Sequence, residues 1–160
     1  FTQARRDPQS RQISSFVAEF SKNQPDTSIL CLAPIETAAD KFSALRLRVN
    51  KRNRSDEQDG PAMIRHLHDL YVLRDYVLSQ DKDFKAMVHA SYEADEKRSS
   101  RCLGIPLQEA IEQMLAKLSK DVLYEAEYDG YVKSMSYGGS QDLASFDVAI
   151  DFLKKLSRKF

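Results

Sequence analysis

The chain has 160 residues and a mass of 18.3 kDa, is 42% hydrophobic and 30% charged, and its 24 basic and 24 acidic side chains cancel. That length suits one domain with a real core, and frequent Leu, Val, Ile, Phe and Tyr without net charge exclude a disordered chain. Gly and Pro number five each, about half their usual share of roughly 12%, so little interrupts a helical reading. Residues 12–20 and 28–33 carry β-branched, aromatic and aliphatic residues in short runs, separated by a turn-like stretch with Asn23, Pro25 and Asp26. The second run is read as a short strand, the first as strand or helix. From Pro34 the period changes: Ile35, Ala38, Phe42, Leu45 and Val49 fall on one helical face, with Pro34 and Glu36 suited to its first turn.

A polar loop at 53–60 leads to a second helix opened by Pro61, with Ile64, Leu67, Tyr71 and Leu78 as its buried stripe. A third helix near 82–97 is expected to bury Phe84, Val88 and Tyr92. After a loop at 99–104, Pro106 starts a long helical region in which Leu107, Ala110, Ile111, Met114, Leu118 and Val122 keep helical spacing. Its continuation holds Tyr124, Tyr128 and Tyr131, with Gly130 as a bend; residues 137–140 read as a turn, and Leu143, Phe146, Ile150 and Leu153 mark the last helix. The expected fold is mainly α: a bundle of about five helices behind a short β segment.

The longest apolar run, residues 29–33, is far below the ~18 residues that a spanning helix needs. No N-terminal stretch has the apolar centre of a signal peptide. A soluble, cytoplasmic protein without a membrane partner is expected, with Cys31 and Cys102 as reduced thiols. A pI near 7 removes the overall basic character of many nucleic-acid-binding domains.

Local charge is more informative. Residues 41–54 contain Lys41, Arg46, Arg48, Lys51, Arg52 and Arg54 and no acid. On a helix Lys41, Arg48 and Arg52 share a flank, a stripe that can hold a triphosphate or an RNA backbone. For Arg46, Lys51, Arg52 and Arg54 the plainer expectation is solvated charge near a helix C-terminus, where the dipole favours cations. Lys41 differs. It stands in the first half of its helix, where the dipole disfavours a cation, and although lysines beside a core snorkel, its position asks for an anionic partner.

The second helix carries Arg65, His66, His68 and Asp69. Arg65 and Asp69 are four apart and can form a surface ion pair, or Asp69 can serve a site. His66 and His68 are two apart, so on a helix they point to opposite sides and make a poor metal pair. The only other histidine is His89, which leaves a three-histidine zinc site improbable. His68-Asp69 is similar to the dyad of HD-type phosphohydrolases, but no histidine precedes His66 to supply their first ligand. Asp142 and Asp147 after Gly138-Gly139-Ser140, Glu125-Ala-Glu127 and Asp81-Lys-Asp83 lack the strand spacing that puts two carboxylates on one face for two metal ions. None is read as a metal site.

Taken together, PIETAADKFSAL at 34–45, the basic stretch after it and IRHLHDLYVL at 64–73 resemble the C-terminal half of the AbiEii/MenT family of nucleotidyltransferase toxins, most closely over residues 28–78. The resemblance implies that Lys41 and Asp69 are catalytic, with Lys41 facing nucleotide phosphates and Arg65 supporting Asp69. Lys41, Arg48 and Arg65 would bind nucleotide or phosphate, and Glu36 would be a helix-start residue. It also implies that residues 1–33 are a remnant of an α+β nucleotidyltransferase core and residues 34–160 its helical C-terminal domain. The implied reaction is Mg²⁺-dependent transfer of a nucleotidyl group from an NTP to an acceptor such as tRNA, in a protein paired with a cognate antitoxin. The family's N-terminal Gly-Ser and Asp-x-Asp/Glu motifs are absent, and the chain starts at Phe1 with no initiator Met. The chain is therefore expected to be the C-terminal portion of a longer toxin, inactive alone and without metal ligands of its own. The alternative expectation is a non-catalytic helical module that binds RNA or a protein, using the basic run and stacking by Tyr124, Tyr128, Tyr131 and Tyr137.

Overall fold

A computed structural model describes residues 6–56, 59–135 and 143–160. It opens on an antiparallel hairpin of β1 (Gln9–Ile13) and β2 (Thr27–Cys31), with Gln9 opposite Cys31 and Ile13 opposite Thr27. The connection contains a short helix, α1 (Phe16–Phe20). Ser15 starts that helix: its hydroxyl accepts from the Ala18 N–H at 3.2 Å, and its own N–H donates to Asp26 Oδ2 at 2.6 Å. The ambiguous run at 12–20 thus divides into the end of a strand and a helix, with Ser15 at the change. Both strands are largely exposed, and Phe16 and Phe20 are 90% and 92% exposed.

The helical part is built around α2 (Pro34–Lys51). Proline at its first turn lacks an N–H that the helix would leave unpaired there in any case. Ala38, Ala39, Phe42, Leu45 and Val49 are fully buried. A 3-10 turn at Pro61–Ile64 leads into α3 (Arg65–Val72), followed by α4 (Arg74–Ser79), α5 (Asp81–Glu96) and α6 (Leu107–Lys120). Helix α2 packs against α3, α5 and α6, while α7 (Leu123–Met135) and α8 (Phe146–Ser157) close over α3. The C-terminal Phe160 ring returns to this core, stacked on Phe42 at 5.4 Å and edge-on to Phe84 at 6.1 Å. Lys159 holds it there through Asp81 at 2.9 Å.

The mainly helical fold with a small N-terminal sheet is as the sequence pattern indicates. Eight α-helices appear among the described residues, more than the expected number of about five, for three reasons. One is α1. The second is a break at Leu73, whose N–H closes α3 on the Asp69 carbonyl at 3.0 Å. This break rotates the following segment, so Val77 enters the core and Leu78, expected in the stripe, is 53% exposed. The third is Asp121, which is extended and accepts the Leu123 N–H at 3.1 Å, starting α7 separately from α6. Val122 is consequently 79% exposed rather than buried, while Tyr124 and Tyr128 turn inward. Gly130 lies within an unbroken α7 and makes no bend. The expected turn at 137–140, with Tyr137 and Asp142, lies outside the described residues.

The basic stretch departs most from expectation. Arg46 is fully buried, with Nη2 at 3.3 Å from Asp95 Oδ2 and its guanidinium 5.1 Å from the centre of the Tyr92 ring. Arg101 Nε reaches the other Asp95 oxygen at 3.1 Å. Burial pushes the Arg46 pKa down, and Asp95 and Glu96 oppose that. Arg52 makes a bidentate pair with Glu127 at 2.8 and 2.8 Å, and Arg54 pairs with Glu127 and Asp121. Both guanidiniums lie over Tyr124, at 5.2 and 4.7 Å. Lys51 donates to the Ser100 carbonyl at 2.8 Å. All four make tertiary ties between helices and loops; Arg46 and Arg52 are withdrawn from solvent, while Lys51 and Arg54 stay exposed as expected. A planar, weakly hydrated guanidinium can be desolvated against a ring and a carboxylate, which helix-terminal position alone does not reveal. Breaking the buried pair by Asp95→Ala is expected to destabilise the fold by about 3–5 kcal/mol, read as a lower urea midpoint. Asp151→Ala, which removes an exposed contact to Lys154 at 3.5 Å, should move stability by no more than about 0.5 kcal/mol.

Candidate active site

Where α2 and α3 meet, Lys41 Nζ lies 2.8 Å from Asp69 Oδ2, with the two side chains 30% and 27% exposed. Lys41 occupies the rim of α2 beside the buried Phe42, so its stem lies along the core and its ammonium reaches the edge. Asp69 holds the matching rim of α3, between Leu67 and Leu70 on the buried side and solvent on the other. One helical turn earlier, His66 is buried and places Nδ1 at 3.7 Å from the same Asp69 oxygen.

An open cleft of about 420 Å³ lies over this pair, lined by Thr37, Lys41, His68, Asp69, Val72 and Leu73. Helix geometry explains the set: Thr37 and Lys41 are four apart on α2, and Asp69, Val72 and Leu73 are three and four apart at the end of α3. His68 is tied from behind. Its Nδ1 lies 3.4 Å from the Tyr128 hydroxyl, which in turn donates to the Ala144 carbonyl at 3.1 Å. Tyr128 is fully buried, and burial, with a smaller contribution from the Asp129 charge, pushes its pKa up to about 12, so the phenol keeps its proton. Burial alone would raise the Asp69 carboxyl; contact with His66 and Lys41 overrides it and holds the group below the usual carboxylate value. The cleft therefore presents a half-exposed ammonium, an ionised carboxylate, an imidazole and a hydroxyl above an apolar floor.

Of the residues singled out from the sequence, the structure brings Lys41 and Asp69 together. Arg48 and Arg65 sit exposed on the same two helices and do not line the cleft, and Asp69 pairs with Lys41, with His66 beside it at 3.7 Å, rather than with Arg65. Glu36 is buried in the first turn of α2. His66 as a partner of Asp69 could have been found from their spacing of three on a helix. Tyr128, 60 residues from His68, left no such trace. Tyr124 and Tyr128 are 2% and 0% exposed, which removes them as stacking platforms for bases. A second cleft of about 270 Å³ is lined by Val49, Arg52, Arg54, Lys117, Lys120, Asp121 and Tyr124.

Among the described residues, no three His, Cys, Asp or Glu side chains gather in a way that could hold a metal ion. Among the described residues Asp69 is the one acid lining the cleft, and one carboxylate already engaged by an ammonium does not make a divalent-cation site. No helix among the described residues is long and apolar enough to cross a membrane.

No curated protein and no solved structure matches the chain. A family model does: "Nucleotidyl transferase AbiEii toxin, Type IV TA system" matches residues 2–152. The chain belongs to the AbiEii nucleotidyltransferase toxin family. The match takes in α2, α3 and the cleft between them, so the family's toxin nucleotidyltransferase role is the frame for reading the Lys41–Asp69 pair.

Because the folded pKa of Asp69 is lowered, the stability from its charge is present above the unfolded carboxylate value of about 3.9 and is lost as pH falls through the folded value. Asp69→Asn is therefore expected to cost about 1 kcal/mol at neutral pH, as for a partly exposed pair. Below about pH 4 the cost should shrink toward zero. Urea denaturation of both proteins across this range is the check; a cost that stays constant into acid would contradict the assignment.

Proposed function

We propose that this chain forms the helical C-terminal part of a metal-dependent nucleotidyltransferase toxin, and that Lys41 and Asp69 belong to its active site. The observation that carries the reading is the contact of a half-exposed ammonium with an ionised carboxylate at 2.8 Å, at the mouth of an open cleft. In the proposed reaction an acceptor hydroxyl oxygen, such as one at the 3′ end of tRNA, bonds to the α-phosphorus of an NTP. The bond from that phosphorus to the bridging oxygen breaks, pyrophosphate leaves, and the proton of the hydroxyl passes to solvent. Lys41 would neutralise charge on the triphosphate as it develops. Asp69, released from Lys41 by the incoming phosphates, would orient the cationic side of the complex. Arg48 and Arg65, exposed on the same helices, would extend the phosphate-binding set outward.

The divalent ion, Mg²⁺ in this proposal, supplies charge neutralisation when bound. Its carboxylate ligands would come from outside the described residues, since the cleft offers only Asp69. Residues 1–33 would belong to the nucleotidyltransferase core, a placement supported by the exposed faces of β1, β2 and α1. Residues 34–160 would form the C-terminal domain. The family's description as a type IV toxin–antitoxin system supports a cognate antitoxin as partner, acting in the cytoplasm.

The test is transfer of labelled nucleotide from each NTP to a tRNA pool by the protein expressed from its complete gene. Lys41→Ala and Asp69→Ala should each lower the rate by about 10²–10³-fold with helical circular dichroism unchanged. Near-normal transfer by either variant would remove that residue from the site.

A second reading, a helical module that binds RNA, is favoured by the four cations lining the second cleft. It is weakened because Arg52 and Arg54 are already paired with Glu127 and Asp121. RNA binding that falls with salt and ignores NTP and the Lys41→Ala change would support the module instead.

A further inference from the structure

The two hydrogen bonds at Tyr128 fix more than the position of His68. A phenol has one proton. The Ala144 carbonyl can only accept, so the Tyr128 hydroxyl donates its proton there at 3.1 Å. The contact of His68 Nδ1 with the same phenol oxygen, at 3.4 Å, is then a hydrogen bond only if Nδ1 carries the hydrogen. The neutral imidazole is thereby held as the Nδ1–H tautomer, and its Nε2 is left with a lone pair. Full burial of Tyr128 and its position edge-on to Phe146, with ring centres 5.6 Å apart, hold the phenol ring and its oxygen in place. His68 itself lines the cleft together with Lys41, Thr37 and Asp69.

We infer that His68 is a specificity-determining residue of the cleft, whose unprotonated Nε2 accepts a hydrogen bond from a ribose hydroxyl. The inference rests on the nucleotidyltransferase reading for its ligand. The polar complement of the cleft points to this chemistry. Lys41 can only donate, and its natural partners are phosphate oxygens; Asp69 is held by Lys41 and His66. The Thr37 hydroxyl and the imidazole lone pair are then the neutral acceptors offered to an uncharged donor, and the imidazole is the one whose ring is tied from behind; a sugar hydroxyl is the uncharged donor next to the phosphates of a nucleotide. That hydroxyl belongs either to the NTP or to the terminal ribose of the acceptor.

Nitrogen-15 NMR of this chain, with imidazole shifts read on the neutral ring, tests the tautomer alone. Nδ1 of His68 is expected to be protonated and Nε2 bare, and Tyr128→Phe should return the ring toward a mixture. The opposite tautomer in the wild-type chain overturns the inference. The ligand is tested by calorimetric titration of the protein expressed from its complete gene, with each ribonucleoside triphosphate and its 2′,3′-dideoxy counterpart, and with a short RNA ending in ribose or in 2′,3′-dideoxyribose. Loss of one hydrogen bond is expected to weaken binding about three- to tenfold, in the triphosphate series if the NTP sugar is held and in the RNA series if the acceptor sugar is held. His68→Asn keeps an N–H toward Tyr128 but has no nitrogen at the Nε2 position. It should leave the thermal midpoint near that of wild type and abolish the preference for ribose. A residue with only a structural role would show the reverse. Equal binding of ribo and dideoxy forms in both series overturns the inference while leaving the nucleotidyltransferase reading intact. Failure of every triphosphate and RNA to bind overturns that reading and the ligand part of this one, whatever tautomer is found.

Discussion

The structure depends on one constraint: the burial of α2 extends beyond its apolar face to Glu36, Ser43, Arg46 and Leu47, so the helix must be enclosed. Ile35, Ala38, Ala39, Phe42, Leu45 and Val49 form one apolar face, and Glu36, Ser43 and Leu47 beside it are buried as well. The consequence is a central helix with α3, α5 and α6 against it and a second layer of α7 and α8 over α3. Burying Arg46 follows from the same enclosure, since the guanidinium cannot leave the core without opening the α2–α5 contact. Asp95 and Tyr92 are the compensation that this burial requires. The catalytic candidates inherit their position from it too. Lys41 stands on the flank of α2 that remains near solvent, with Thr37 and Arg48.

Much of the helical pattern was legible because burial repeats at helical spacing. The stripes of α2, α6 and α8 appear at Phe42 and Leu45, at Ile111 and Met114, and at Ile150 and Leu153. The breaks at Leu73 and Asp121 were not legible. Neither carries a Gly or Pro, and each is settled by which side chains find room in the core, Val77 over Leu78 and Tyr124 over Val122. The basic stretch was misread for a related reason. Its acids, Asp95, Asp121 and Glu127, lie 49 to 75 residues away, so a local reading sees cations and misses their partners.

At the site, Lys41 and Asp69 could be singled out from the sequence, one because its place on the helix disfavours a cation and both because of the family pattern. Their contact, and the turn of His68 onto Tyr128, depend on how α2, α3 and α7 pack, which no short-range spacing encodes. His68 shows the difference most clearly. In the sequence it is half of a poor metal pair. In the fold it is an oriented imidazole whose hydrogen is committed to a buried phenol.

The two principal ion pairs of α2 also show why burial separates structure from chemistry. Arg46 and Asp95 are 0% and 7% exposed, whereas Lys41 and Asp69 are 30% and 27% exposed. Opening the first would strand a charge in the core, at a cost of several kcal/mol. Opening the second returns both groups to water, and pairs of that kind contribute only about 0–1 kcal/mol. A ligand carrying several negative charges can therefore take Lys41 from Asp69 at little cost and leave the carboxylate ready for a cation that arrives with it. The residue types fit this division. Arginine, with a fork that stacks and pairs while desolvated, stands where the tie must hold. Lysine, a hydrated point charge on a flexible stem, stands where the partner must change.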